Sequence, residues 1–428
     1  MFIQKLHVRN FKSIEEAEIL FSPLSMIVGA NASGKSNIIN VFRFIGNIVN
    51  DGVDNAVALQ GGMPNLANAN MSKGTPVDIH FILDLSNEGW VRSVRNSDIG
   101  LQVQELECRF TLKPNLRGTG YRIAEDYLRL SFSYAHTDEE DEDEDKEPVT
   151  KDIQYAMCFH KRNEKASIQR TQDISGDDLD DEIEKALKED IVSMFFADWA
   201  NHAKGELMLS RVSVLLPSYF SGASFIRIFD FDPKELKKAS SMVSTRILAE
   251  NGSNIASVLQ GILRSKEKRQ KLQTLLKRFL PFIENVTIEN NLDKSFAYKI
   301  KESYSSRAFH ANFLSDGTVS ILAVIIALYF EEHSNIIVLE EPERNIHPKL
   351  LSRILDAAED ISQEKQVVIT THNAEFLKHA KIQNVRLVSR NKQGYTTVFS
   401  PEHSHAVQCF MSNELGLDDL FINDMLGE

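Results

Sequence analysis

The stretch that decides the fold is Leu24-Ser25-Met26-Ile27-Val28-Gly29-Ala30-Asn31-Ala32-Ser33-Gly34-Lys35-Ser36, an apolar run followed by a glycine-rich loop. The loop has the spacing Gly-x-x-x-x-Gly-Lys-Ser, and apolar residues recur at helical spacing over 37–48. A strand, a glycine-rich turn and a helix in this order point backbone N–H groups and the positive end of the helix dipole at an anion. The sequence therefore predicts a site for the phosphates of ATP, with the Lys35 ammonium at the β and γ phosphates and the Ser36 hydroxyl as a ligand of Mg²⁺. The predicted nucleotide contacts in this loop are Gly29, Asn31, Gly34, Lys35, Ser36 and Asn37.

A second apolar run, residues 336–339, ends in two consecutive carboxylates, Glu340 and Glu341. A buried strand that stops beside a nucleotide can present one carboxylate to Mg²⁺ and the next to a water molecule. We therefore assign Glu340 to the metal and Glu341 to the general base. The metal position of such sites is usually an aspartate, and the longer glutamate predicts an adjusted or water-bridged contact with Mg²⁺. The alternative is a strand end with two solvated acids.

Two shorter motifs fit the same site. Thr371 and His372 follow the apolar run 367–369, and a histidine at this point can hydrogen-bond the γ-phosphate and the attacking water. Leu314-Ser315-Asp316-Gly317-Thr318 precedes an apolar helix predicted over 319–330, where the Ser315 hydroxyl and the Gly317 N–H suit a phosphate. Taken alone, a histidine after a strand is usually structural, and Ser-Asp-Gly is a common turn. The phosphate loop and the paired carboxylates favour the functional interpretation.

The composition is that of an ordinary globular protein. The chain has 428 residues, 42% of them hydrophobic and 25% charged, and no stretch approaches the roughly 20 apolar residues that a membrane helix needs. The alternating N-terminal residues 1–14 predict a strand rather than a signal peptide. Three widely separated cysteines, Cys108, Cys158 and Cys409, give no disulfide framework and indicate a reducing compartment. We therefore predict a cytoplasmic protein with no membrane partner.

Charge is unevenly distributed along the chain. The formal net charge is −13, and residues 138–147 (DEEDEDEDKE) alone carry −8, which leaves −5 for the rest. Such a like-charge run predicts a solvated loop, with a specific acidic site as the alternative. The helical pattern over 264–278 has seven basic residues and only Glu267 to oppose them. It predicts either a solvated charged face or a contact with nucleic acid or another acidic partner.

The order of these segments predicts an α/β fold in which both ends of the chain build one nucleotide-binding head. Residues 1–132 would form an N-terminal lobe with the phosphate loop. Residues 133–299 would contain the acidic loop and a helical lid, and residues 300–428 would form a C-terminal lobe. No long heptad run is present, so no long coiled-coil arm is expected.

With these motifs, the chain resembles the RecF/SMC-like branch of ABC-type P-loop ATPases. More closely, it is similar to the AAA-family ATPases of bacterial phage-defence and abortive-infection loci. The similarity lies in residues 6–14 (LHVRNFKSI), 121–125 (YRIAE), 226–233 (IRIFDFDP), 250–254 (ENGSN), 280–281 (LP) and the motifs from 314 to 373. It covers most of the chain, except roughly 134–175.

The resemblance implies an ABC-type head with a helical lid insertion and a Mg²⁺-dependent ATPase that works as a head-to-tail homodimer or higher homo-oligomer. Ser315 and Gly317 of one subunit would face the ATP held by Lys35 and Ser36 of the other, and residues 343–347 would cross the seam between subunits. Relatives with a fused nuclease carry it after the position of His372, where about fifty residues remain here. An effector such as a nuclease or a toxin is therefore expected on a separate chain.

The predicted function is ATP hydrolysis coupled to dimer closure, as the sensor or scaffold subunit of an anti-phage defence system. Two alternatives remain open at this point. One is a RecF-like DNA repair or recombination ATPase, which would show salt-sensitive affinity for DNA. The other is a regulatory ATP-binding module, which would hydrolyse ATP very slowly even with every partner present.

Overall fold

The computed structural model describes residues 1–86, 91–92, 99–136, 149–162, 165–171, 205–212, 216, 225–242 and 245–403. The acidic run 138–147 lies outside these residues, as does all but the last residue of the segment 178–205, for which the sequence pattern predicts a helix. The chain divides into two compact units, each discontinuous in sequence. Unit 1 comprises Met1–Phe21, Asn40–Ser224 and Arg390–Thr397, and unit 2 comprises Ser22–Ile39, Phe225–Ser389 and Val398–Glu428. The phosphate loop thus belongs to the same unit as the paired carboxylates. The division into segments 1–132, 133–299 and 300–428 stays a prediction.

Unit 1 is built on one eight-stranded sheet; strands and helices are numbered in chain order through both units. Its strands are β1 (Phe2–Phe11), β2 (Ile14–Leu20), β4 (Val77–Asp84), β5 (Val91–Arg92), β6 (Ile99–Pro114), β7 (Tyr121–His136), β8 (Val149–Arg162) and β9 (Lys165–Thr171). The strand order is β2-β1-β4-β6-β7-β8-β9, with β5 also paired to β6, and the pairings are antiparallel. Part of the segment 133–299, predicted as loop and lid, therefore forms strands β8 and β9. The alternation of Ile153, Tyr155, Met157 and Phe159 has the period of two that a strand requires.

Helix α1 (Lys35–Leu59) belongs to unit 1 from Asn40 onward and is interrupted at Gly52, whose φ of 81° is not helical. Its apolar face packs in the core of the unit. The Phe44 ring lies 6.0 Å from Phe11 and 6.3 Å from Phe110, centroid to centroid. These aromatic contacts join the helix to β1 and β6. A short helix, α2 (Met63–Leu66), follows α1.

A six-stranded sheet positions the candidate site, and it belongs to unit 2 except for Arg390, Thr396 and Thr397, which are assigned to unit 1. Its strands are β3 (Leu24–Val28), β10 (Ile226–Phe229), β15 (Ile336–Glu340), β16 (Gln366–Thr371), β17 (Val385–Arg390) and β18 (Thr396–Phe399). They lie in the order β10-β15-β16-β3-β17-β18, and the pairings from β10 to β17 are parallel. Every residue of β3 and β16 is buried, as is typical of central strands in a parallel sheet. The sequence prediction of buried strands over 24–28, 336–339 and 367–370 is confirmed.

Helices and a small antiparallel sheet complete unit 2. The sheet consists of β11 (Ser240–Ser241), β12 (Ile283–Asn290), β13 (Ser295–Glu302) and β14 (Ala308–His310). The helices are α3 (Pro233–Leu236), α4 (Ile255–Arg264), α5 (Lys266–Phe279), α6 (Asp316–Tyr329), α7 (Leu351–Ser362) and α8 (Ala374–Leu377). Helix α6 is buried from Thr318 to Leu328, since it is apolar on all sides. Among the described residues, no helix has both the length and the apolar character needed to cross a membrane.

Candidate functional site

Several polar residues meet at the carboxyl edge of the parallel sheet in unit 2. The strand register pairs Glu340 with Thr370 and Thr371 with Val28, so the ends of β15, β16 and β3 lie side by side. The Gly29 N–H donates to the Thr371 carbonyl (3.2 Å), which ties the start of the phosphate loop to the end of β16. Open parallel sheets bind ligands outside the carboxyl ends of their strands, so this edge is the candidate site.

The phosphate loop, residues 29–36, is a sharp turn between β3 and α1. Ala32 (φ 63°) and Gly34 (φ 116°) both have positive φ, and the conformation at residue 34 is one that glycine adopts without a steric penalty. The Gly34 carbonyl accepts from the Asn37 N–H (2.9 Å) as α1 begins. Asn31 is exposed in the loop and Asn37 is half-buried. The backbone of the predicted nucleotide contacts thus forms one turn at a helix N-terminus, which suits an anion.

Lys35 is buried inside this loop, with 6% of its surface exposed. Its ammonium donates hydrogen bonds to the carbonyls of Gly29 (2.7 Å) and Ala30 (3.0 Å). Burial lowers the pKa of this amine, and three nearby carboxylates, led by Glu341, oppose that shift. The Lys35 ammonium therefore lies within the loop, where it can act as the counter-ion of phosphate oxygens.

Ser36 and Glu340 form the pair that fits a magnesium ion. The Ser36 hydroxyl donates to Oε1 of Glu340 over 2.6 Å, so the side chain of the glutamate reaches the loop directly. Both groups offer hard oxygen ligands, which Mg²⁺ prefers. Among the described residues, no group of three or more His, Cys, Asp and Glu side chains could hold a metal by itself. A magnesium ion at this pair would therefore take its remaining ligands from phosphate and water.

Glu341 is contacted on both carboxylate oxygens. Oε1 accepts from Nδ1 of His372 (3.0 Å), and Oε2 accepts from Nη2 of Arg344 (3.2 Å). Burial alone would raise the pKa of this carboxyl, but His372 and Arg344 bring it below its ordinary value. An ionised carboxylate only accepts, so Nδ1 of His372 donates to it; when the ring carries this proton alone, its Nε2 is an acceptor.

Glu343 is a buried carboxyl in the same turn, with 6% of its surface exposed. Its Oε1 accepts from the Thr371 hydroxyl, whose oxygen also accepts from the Asn373 N–H (2.9 Å). Its Oε2 is buried and has no hydrogen-bond partner among the described residues. Burial raises the pKa of this carboxyl. Because a buried charge without partners is costly, the surroundings of Glu343 favour its protonated form.

Ser315 and Gly317 stand at the start of α6. The Ser315 hydroxyl accepts from the Thr318 N–H (3.1 Å) and so caps the helix. A Cβ at residue 317 would lie 2.7 Å from the carbonyl oxygen of Asn345, so Gly317 packs closely against the segment that follows the paired carboxylates. In the part of the chain that the structure describes, no hydrogen bond joins Ser315 or Gly317 to the phosphate loop.

Hydrogen bonds join two pairs of the residues predicted from the sequence, Ser36 with Glu340 and Glu341 with His372. The sequence motifs predict no role at the base for Glu343, and they do not mark Arg344 or Asp230 as site residues. Arg344 donates to Glu341 and also to Asp230, which follows β10. The only sequence signal for Asp230 was its position after an apolar strand, within the segment 226–233.

Helix α5 pairs some of its cations within unit 2. Lys268 forms an ion pair with Glu332 (2.7 Å). Arg278 forms one with Asp360 (3.1 Å). All four side chains are about half exposed, so each pair contributes little to stability, but each reduces the positive charge of the helix. These contacts favour a solvated charged face over a nucleic-acid contact.

Residues 24–378 match the protein family described as "AAA domain, putative AbiEii toxin, Type IV TA system". The match spans most of the chain and includes the phosphate loop, the Ser315 turn, both carboxylates and His372. No curated protein matches the sequence.

One solved SMC head shares the fold, and two others are similar at lower TM-scores. An SMC head bound to the C-winged helix domain of ScpA is 14% identical, with a TM-score of 0.53 over 93% of this chain and 98% of that chain. The SMC head domain from Thermotoga maritima is 16% identical, with a TM-score of 0.43 over 94% and 99%. An SMC head with an extended coiled coil, bound to the C-terminal domain of ScpA derived from Pyrococcus furiosus, is 15% identical, with a TM-score of 0.47 over 97% and 100%. The first likeness confirms the predicted α/β fold of an ABC-type P-loop ATPase head.

Proposed function

Since the chain belongs to the AAA-domain family described as a putative AbiEii toxin of a type IV TA system, we propose that it binds ATP with Mg²⁺ and hydrolyses it at the carboxyl edge of the unit 2 sheet. The observation that carries this proposal is the arrangement at the end of β15. There Glu340 contacts the Ser36 hydroxyl of the phosphate loop, and Glu341 contacts His372. The consecutive residues Glu340 and Glu341 thus provide a metal ligand and a general base, the two groups that phosphoryl transfer to water uses.

In this proposal, the loop residues bind the phosphates and the carboxylate pair divides the remaining work. Lys35 exchanges the carbonyls of Gly29 and Ala30 for the β and γ phosphates. Ser36 and Glu340 hold Mg²⁺, which when bound neutralises charge on the phosphates. Because Glu340 rather than Glu341 binds the metal, the Glu341 carboxylate remains available for the attacking water.

Glu341 accepts the proton of that water, and His372 orients it. With its proton on Nδ1, His372 can accept a hydrogen bond from the water at Nε2. A hydrogen bond from the same ring to the γ-phosphate, as predicted from the sequence, requires a second proton on the ring. In this proposal Glu341 is the base, and the contact with His372 keeps the residue that orients the water beside it.

We propose that Ser315 and Gly317 contact the ATP bound by another copy of the chain, in a homodimer or a higher homo-oligomer. Ser315 is exposed at the N-terminal end of a buried helix and forms no hydrogen bond with the described residues of its own phosphate loop. The resemblance of the motifs to ABC-type ATPases implies that a partner's ATP would face this position. A two-fold dimer would then contain two equivalent sites, each built from both subunits.

We further propose that the ATPase is the sensor or scaffold subunit of an anti-phage defence system and acts with a separate effector, such as a nuclease or a toxin. The resemblance of the sequence motifs to the ATPases of phage-defence and abortive-infection loci supports this class. The ion pairs of α5 provide no support for the alternative of a RecF-like ATPase that binds DNA.

Glu341→Gln tests the proposed chemistry. An amide cannot accept the proton of the water, so phosphate release should fall by about 100-fold or more while ATP binding, measured by calorimetry, is retained. Glu284→Gln, at an exposed glutamate of the same unit, is the matched control and should hydrolyse ATP normally. Hydrolysis by Glu341→Gln at the wild-type rate would rule out Glu341 as the base.

A further inference from the structure

Arg344 joins Glu341 to a third carboxylate, that of Asp230. Nη1 of Arg344 donates to Oδ1 of Asp230 (2.9 Å), and Nη2 donates to Oε2 of Glu341 (3.2 Å). Asp230 directly follows β10, whose last residue, Phe229, is paired with Leu339 of β15. The two carboxylates therefore leave neighbouring parallel strands at the same edge of the sheet, and one guanidinium bridges them.

This bridge restrains the direction of the Glu341 carboxylate. The N–H groups of a guanidinium point in fixed directions within one plane, so a partner at Nη1 sets the orientation of Nη2. The backbone of Asp230 is held in place, because its N–H donates to the Glu250 carbonyl (3.0 Å). The side chain of Arg344 is 45% exposed, so without Asp230 it would be free to populate other rotamers.

We propose that Asp230 is a positioning residue for ATP hydrolysis. It holds Arg344 so that Arg344 and His372, one at each oxygen, aim the Glu341 carboxylate at the attacking water. This rests on the proposed function, because it takes Glu341 to be the base. Asp230 touches no reacting atom, and the contacts of Lys35 and Ser36 do not involve it, so its loss should lower kcat and leave KM for ATP unchanged.

Steady-state hydrolysis by full-length variants tests the proposal. Asp230→Ala should lower kcat by about tenfold, since a small displacement of a catalytic group has a cost of this order or larger. Asp230→Asn can still accept a hydrogen bond from Nη1 of Arg344, so its kcat should lie between those of Asp230→Ala and the wild type. Asp360→Ala removes the partner of Arg278, an Arg–Asp pair of similar exposure and length (3.1 Å), and should leave kcat unchanged.

A double-mutant cycle separates positioning from a general loss of structure. Because Asp230 acts only through Arg344, the double variant of Asp230→Ala and Arg344→Ala should be no slower than Arg344→Ala alone. In a Glu341→Gln background, Asp230→Ala should have no further effect. A wild-type or faster kcat in Asp230→Ala, or additive effects in the cycle, would overturn the positioning role of Asp230. In that case an inactive Glu341→Gln would still support Glu341 as the general base. Wild-type hydrolysis by Glu341→Gln would overturn both.

Discussion

The Ser36 hydroxyl donates a hydrogen bond of 2.6 Å to Oε1 of Glu340, between residues 304 positions apart in the sequence. The contact joins the phosphate loop to the end of β15. It shows that the Glu340 carboxylate reaches the loop directly. In the proposed function, these two oxygens bind the same Mg²⁺.

Glu340→Gln should reduce the effect of Mg²⁺ on ATP affinity. The amide keeps an oxygen for Ser36 but loses the charge that favours a hard cation, so the enhancement of affinity by Mg²⁺ should fall by about tenfold. Calorimetric titrations of ATP in Mg²⁺ and in EDTA measure the enhancement. In EDTA, the variant and the wild type should bind ATP with the same affinity. An equal enhancement in the variant and the wild type would show that Glu340 does not bind the metal.

Glu343→Gln should remove a pH-dependent loss of stability. Burial raises the pKa of Glu343 above the value of about 4.3 for an unperturbed glutamate. Between the two values the folded state binds more protons than the unfolded state, so the free energy of unfolding falls as the pH rises. The stability of the variant relative to the wild type should therefore increase as the pH rises above about 4 in urea unfolding. A constant difference would mean that Glu343 does not titrate in this range.

Gly317→Ala and Gly261→Ala are matched substitutions in helices of unit 2, and they should have opposite effects. Alanine normally stabilises a helix over glycine by roughly 0.5–1 kcal/mol. At Gly261 the added Cβ would lie 3.4 Å from Cδ of Arg246, a flexible side chain, so that variant should be neutral or more stable. At Gly317 it would lie 2.7 Å from the Asn345 carbonyl oxygen, so we expect a loss of about 1–3 kcal/mol in urea unfolding. Equal effects would contradict this close packing.

Ser315→Arg and Lys35→Ala should inactivate the enzyme in different ways. A large side chain at the proposed seam should block hydrolysis without blocking ATP binding. Loss of the Lys35 ammonium should abolish tight binding, because the β and γ phosphates lose their counter-ion. Calorimetry and phosphate release measure the two effects separately, and tight Mg²⁺-ATP binding by Lys35→Ala would count against the phosphate loop.

A mixture of these two inactive variants tests whether the site is shared between subunits. A mixed head-to-tail dimer pairs the intact Lys35 loop of one chain with the intact Ser315 of the other and regains one of its two sites. We expect partial recovery of ATPase on mixing. If proven mixed dimers show no recovery, either the site is built within one chain or both sites must act together.

Local patterns in the sequence determined the elements that carry the site. The apolar run 24–28, the loop spacing and the following helical pattern predicted β3, the turn and the start of α1, because each depends only on neighbouring residues. The apolar runs before Glu340 and His372 likewise predicted buried strands β15 and β16. The motif roles followed from chemistry, since hydroxyl and carboxylate groups next to a phosphate loop suit Mg²⁺ and water.

Only the tertiary structure decided which of these residues touch. The strand order β10-β15-β16-β3 differs from the order in the chain, and its parallel register makes distant strand ends into neighbours. For this reason Asp230 and Arg344, 114 positions apart, share a hydrogen bond that no local pattern indicates. The burial that raises the pKa of Glu343 and the contacts that lower that of Glu341 arise in the same way. The pKa values of two glutamates in one short turn thus shift in opposite directions, because tertiary packing buries one of them and gives the other two nitrogen donors as neighbours.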